Sequence, residues 1–152
     1  MHPLELTARQ MEWAASNLAF NLDFVPDDKL DWKPAPHAPS ALEIVEHLLQ
    51  VLDRMTPLLR GEPMGAGAAE TLTERETAKS VLILAARQYS AAMRAIPIED
   101  LDNPVETRLG TLPLRTLATM PVMDVIHHHG QIAYIQLLLG DTETHRDVSL
   151  FV

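Results

Sequence analysis

Apolar positions fall into four stretches with helical spacing. Leu6, Met11, Trp13, Ala14, Leu18 and Leu22 recur at three- to four-residue steps, which predicts a helix from about Leu4 to Phe24 with one buried stripe. Pro26 marks its end, because the residue before a proline is pushed out of the α region. The stretch 26–39 holds Pro26, Pro34, Pro36 and Pro39 and cannot be continuous helix, so an ordered loop anchored by Leu30 and Trp32 is expected. Ser40 followed three residues later by Glu43 is a capping-box pattern. It opens a second helix that carries Leu42, Val45, Leu48, Leu49 and Leu52 to about Arg60, with Gly61 as its stop. Residues 61–72 contain three glycines and a proline and predict a mobile connection. Thr73 with Glu76 is a second capping-box candidate, opening a third helix that ends near Ile96, before Pro97. In the turn-rich stretch 97–113, Val105, Thr107 and Leu109 alternate with polar residues, the pattern of a short hairpin near 103–112. The last helix runs from about Leu114 to Leu139 with Gly140 as its stop. Pro121 inside it removes one backbone bond and should kink or loosen it locally. Four amphipathic helices with one long crossover connection predict an all-α four-helix bundle.

Composition narrows the classes. At 152 residues the chain fits one domain, 1–152, long enough to bury a core without staples. With no cysteine there is no disulfide framework, thiolate metal site or thiol nucleophile. No signal peptide is visible after Met1 and no apolar run approaches the length of a membrane span, so a cytoplasmic location without membrane insertion is expected. Asp and Glu number 21 against 12 Lys and Arg, a formal net charge of −9, with no basic run; nucleic acid is therefore not an expected partner. The tail ends in the apolar Leu150-Phe151-Val152, suited to packing against a partner subunit.

The chemistry concentrates in Asp124-Val125-Ile126-His127-His128-His129-Gly130-Gln131. Consecutive helical residues point about 100° apart, so the three histidines cannot share one ligand sphere. Asp124 and His128, four apart, stack on one face and can grip one ion. The best further donor is His47, which sits among apolar residues of the second helix and is expected to face inward. Two imidazoles and one carboxylate would leave open positions on zinc, nickel, iron or manganese. Each of these residues also fits a plainer role: a buried hydrogen-bonded histidine at position 47, and an Asp–His pair without an ion at 124 and 128. Glu43, His127 and Gln131 are candidates for orienting the imidazoles. His2, His37 and His145 are assigned no role. Met120 and Met123 read as core filler, and Trp13 and Trp32 as packing anchors. Arg54, Arg87, Arg94 and Arg115 are unplaced candidates for an anionic ligand.

Two motifs carry a resemblance to a known family. One is the acidic run into a tryptophan–proline loop, Pro26-Asp27-Asp28-Lys29-Leu30-Asp31-Trp32-Lys33-Pro34, followed by the Ser-capped Ser40-Ala41-Leu42-Glu43-Ile44-Val45-Glu46-His47. The other is ligand, three residues, His, any residue, Gly-Gln, here Asp124 to Gln131. Together they resemble the DinB-like four-helix-bundle proteins over about Leu4 to Gly140. The resemblance implies an up-up-down-down bundle, a homodimer, and a divalent metal ion between helices two and four. It also implies a metal-dependent enzyme, of the thiol-dependent S-transferase or hydrolase kind, acting on a small molecule. A non-catalytic metal- or ligand-binding stress-response dimer is the alternative. The family pattern has histidine at the position of Asp124, so the triad here becomes two histidines and a carboxylate.

Overall fold

The coordinates are a computed structural model that describes residues 1–68 and 70–148. Four helices, α1 (Glu5–Leu22), α2 (Ala41–Leu59), α3 (Arg75–Ala95) and α4 (Leu114–Leu138), and one hairpin, β1 (Pro104–Thr107) with β2 (Gly110–Pro113), make up its main elements. The helices surround one core in which α1 and α2 each pack against both α3 and α4.

Specific bonds fix the helix directions. Arg94 meets Glu5 and Lys79 meets Asp23, so α3 runs antiparallel to α1. Gln136 donates to the Asn21 carbonyl near the ends of both α4 and α1. At the other end, Ser90 donates to Ala8 and its neighbour Tyr89 to Ala118. Hence α4 runs parallel to α1. The first turn of α2 is tied to the loop after α1 by Leu42 N–H donating to the Leu30 carbonyl. Farther on, His47 lies against Asp124, while Met55 shares a cavity wall with Leu117, so α2 opposes α4. The order is up-down-down-up, which corrects the expected up-up-down-down. The reason is the anchor at Leu30, which turns the chain back at the end where α1 finishes.

The connection 60–74 must then climb the bundle again. It does so along α2, through Gly65 N–H to the Arg54 carbonyl, Ala68 N–H to the Asp53 carboxylate and Leu72 N–H to the Glu46 carboxylate. Leu72 is buried. The expected mobile connection is thus a strap with fixed attachments. A side-chain carbon at Gly65 would collide with the Asp53 carbonyl, so glycine here serves close approach.

The Ser40 capping box forms with both of its bonds, Glu43 N–H to Ser40 Oγ at 3.2 Å and Ser40 N–H to Glu43 Oε2 at 2.9 Å. The second candidate box does not form. α3 begins at Arg75 with Glu74 as its cap residue, which leaves Thr73 outside the helix and Glu76 too early to be its partner. Residues 26–39 contain a single 3-10 turn, Asp27–Lys29, then the buried Leu30 and a half-buried Trp32 packed against the core. α4 passes through the buried Pro121 as one continuous helix. The stripe of α1 is also shifted: Leu6 is exposed, while Ala8, Met11, Ala14, Leu18 and Leu22 are buried together with Asn17 and Asn21. The terminal Leu150–Val152 lie outside the described residues.

Candidate metal centre

His47 from α2 and Asp124 and His128 from α4 converge, with one ligand atom from each within 4.8 Å of the others. His47 Nε2 is 3.2 Å from Asp124 Oδ2, and His128 Nε2 is 3.4 Å from Asp124 Oδ1. The two rings stand edge to face with centroids 4.9 Å apart. Ligand atoms about a tetrahedral ion bonded at about 2.0–2.1 Å lie about 3.3–3.4 Å apart. The two imidazole–carboxylate separations, which run to different oxygens of Asp124, are of that size, and one atom from each donor lies within 4.8 Å of the others. Nitrogen and carboxylate donors suit zinc, nickel, iron or manganese, so the residues present fit the group.

Exposure of the donors is graded. The side chain of His128 is 13% exposed, that of Asp124 31% and that of His47 50%. His47 was expected to point inward, yet it stands at the rim, because the buried stripe of α2 (Ile44, Val45, Leu48 and Leu52) leaves position 47 on the edge of that face. The centre is consequently closed on the His128 side and open on the His47 side, which is where exchangeable positions on an ion would lie.

Orientation of His128 comes from Gln131. Nδ1–H donates to Gln131 Oε1 at 2.6 Å, and the amide Nε2 of the same side chain donates to His127 Nε2 at 3.2 Å. That arrangement leaves the His128 Nε2 lone pair facing Asp124. Burial pushes the His128 imidazole below its ordinary pKa; the Gln131 bond and the Asp124 charge oppose this, and His47 and His127 add to the lowering. A neutral ring at neutral pH is the form a metal requires. Glu43 has no part in this network. Its carboxylate caps α2 and meets Lys33 Nζ at 2.6 Å, which holds it below the usual carboxylate range.

The neighbouring His129 points to the opposite side and meets Asn21 Nδ2 at 3.1 Å. His145, given no role from sequence, stacks on Phe24 at 3.5 Å and bonds Asp141 at 2.7 Å, fastening the segment after α4 to α1.

A cavity of about 1390 Å³ opens beside the donors and is bounded by α2, α4, the strap and the hairpin. His47, Asp124 and His127 line it together with Met55, Met64, Met120 and Met123. Met120 and Met123 are therefore not core residues; they are 40% and 69% exposed. A usable signal was present: 120, 123, 124 and 127 share one helical face, whereas Val122 and Val125 occupy the buried one. Of the four arginines left unplaced, Arg54 lines this cavity, Arg87 is exposed on α3, Arg94 bridges Glu5 and Glu12, and Arg115 pairs with Asp102.

The model of the DinB superfamily matches residues 4–132. The chain belongs to the DinB superfamily. Among solved structures, a DinB-like protein from Bacillus subtilis superposes with a TM-score of 0.72 at 18% identity, covering 92% of this chain and 95% of that one. No curated protein matches the sequence. At that identity the likeness establishes the DinB-like fold, while the site rests on the geometry of this chain. Among the described residues no helix is long and apolar enough to cross a membrane.

Proposed function

We propose that this DinB-superfamily chain binds one divalent metal ion through His47, Asp124 and His128 and uses it on a small molecule held in the adjoining cavity. The observation that carries the reading is the meeting of three donors from two helices, their ligand atoms within 4.8 Å of one another, with His47 and Asp124 on the wall of a large cavity. A bound ion in such a site lowers the pKa of a coordinated water or thiol, or polarises a carbonyl. The reaction class that fits is transfer to or from a small thiol, or hydrolysis. The chain itself orients His128 through Gln131, keeps that ring neutral by burial, and leaves the His47 side open for exchange. The test is thiol transfer to, and hydrolysis of, model electrophiles by metal-loaded protein. Turnover that disappears on chelation and in His47→Ala supports the enzyme. Turnover insensitive to His47→Ala removes it, and metal binding without turnover leaves the alternative of a binding module.

The reading includes a homodimer. Apolar residues of α4 are not confined to its core-facing side. Its outward face exposes Met123, Ile126, Tyr134 and Leu137. These positions are symmetric about Gly130, where a side chain would meet open space. An antiparallel pairing of two α4 helices across a twofold axis at Gly130 would set Ile126 against Tyr134 and Met123 against Leu137, the self-complementarity that a twofold interface requires.

A further inference from the structure

Beyond the metal, and resting on the reading of the cavity as the substrate site, we infer that the cavity takes an elongated small molecule with an apolar body and a terminal anion, the anion held by Arg54 and Arg108. The body is set by Met55, Met64, Leu109, Met120 and Met123, which line the walls. Methionine walls are apolar and adaptable, so they accept a flexible apolar chain without demanding one shape.

The anion is set by charge. The protein is strongly acidic, and Arg9, Lys33, Lys79, Arg94 and Arg115 all lie in ion pairs. Among the described residues Arg54, Arg60, Arg87, Arg108 and Arg146 stand outside the ion pairs, and of these Arg54 and Arg108 are the two that line this cavity. Two carboxylates share these walls, and neither is paired with an arginine: Glu106 accepts from the Thr111 hydroxyl at 2.6 Å, and Asp124 lies between the imidazoles. Arg54 is also held in place. Its guanidinium lies against Gly67, and its carbonyl accepts the Gly65 N–H, so the strap braces it. A guanidinium fork matches a carboxylate or similar oxyanion.

The separation follows from the helix. Arg54 comes two turns after His47 on the same face of α2, about 10 Å along the axis at 1.5 Å per residue. The cavity thus reads as a slot with metal donors at one end and Arg54 about 10 Å along it, and the bound molecule would present its reacting group about 10 Å from its charge.

Isothermal titration with decanoate, decanol and decylamine tests this, on metal-free and on zinc-loaded protein. Decanoate should bind the metal-free protein at least tenfold more tightly than decanol or decylamine. Arg54→Gln and Arg108→Gln should each weaken decanoate roughly tenfold, the scale of one charge-assisted bond, while decanol binding and the circular dichroism spectrum stay unchanged. Equal binding of decanoate and decanol would overturn the inference. So would decanoate binding that needs zinc and survives both arginine substitutions, since the anion would then sit on the metal. The two readings fail separately: wild-type protein that binds decanoate through the arginines but takes up no zinc would defeat the metal centre and leave the anion site standing, whereas zinc binding without decanoate binding would do the reverse.

Discussion

Replacing Gln131 by leucine leaves all three proposed ligands in place and removes only what aims one of them. In the folded protein the His128 ring has one hydrogen-bond acceptor for its Nδ1–H, the Gln131 carbonyl oxygen at 2.6 Å, and that bond selects the tautomer whose Nε2 lone pair faces Asp124. Without it the ring is free to flip or to take the other tautomer, and its basicity as a ligand falls. Loss of such an orienting partner typically costs 10–100-fold in metal affinity, about 1.4–2.7 kcal/mol. Gln131→Leu is therefore expected to raise the zinc dissociation constant by roughly that factor, read by competition with a chromogenic chelator at neutral pH. Gln131→Glu should preserve or tighten binding, because a carboxylate accepts the same proton more strongly. His127→Ala should leave affinity within about threefold, since His127 bonds Gln131 and meets His128 only ring edge to face, with centroids 5.1 Å apart. In the metal-free protein the His128 pKa should fall further in Gln131→Leu, because the Gln131 bond is what partly offsets burial. Wild-type affinity in Gln131→Leu would refute the orienting role.

Three further outcomes follow from the same structure. His128 and His129 are both held below the ordinary imidazole pKa of 6.5 by burial, so the unfolded chain takes up protons first as pH falls. Metal-free protein should accordingly be most stable above about pH 6.5 and lose Tm as pH drops through that value, and His128→Gln with His129→Gln should flatten the profile; a profile unchanged by the pair would contradict it. Ser40→Ala removes the acceptor of a fully formed capping box on a buried serine and should cost about 1 kcal/mol in chemical denaturation, with Ser40→Asp retaining most of the stability. Ile126→Glu should convert a dimer to a monomer by light scattering without unfolding it, since Ile126 is 44% exposed on the outer face of α4; a wild-type monomer at micromolar concentration would remove the dimer.

The helices were legible because each buries a stripe against neighbours, and spacing reports that directly. Their arrangement was less so. The up-down-down-up order depends on where Leu42 and Leu72 are tied, and such long-range bonds leave no periodic trace. The strap misled because glycine marks both mobile chain and close approach, and at Gly65 the second applies. α1 misled at Leu6 because its buried face includes Asn17 and Asn21, whose amides bond backbone carbonyls on α1 itself, so polarity there does not mean exposure. α4 carries apolar residues beyond its buried face, so apolarity alone did not separate the core-facing Val122 and Val125 from the cavity-facing Met120 and Met123; only the polar Asp124 and His127 on the methionines' face marked it. The donor set was readable because Asp124 and His128 are four apart and His47 is the one histidine on α2. The supporting groups divided according to geometry: Gln131, one turn beyond His128, reaches its ring, while Glu43, one turn before His47, is drawn off to Ser40 and Lys33.

The central claim is that one ion sits between α2 and α4. Its most direct test is metal analysis of protein purified without a histidine tag, beside Asp124→Ala and His128→Ala prepared identically. The account predicts close to one equivalent of a divalent transition metal in the native protein and almost none in either variant. A native preparation that neither carries nor takes up metal, or variants that retain it in full, would contradict the account.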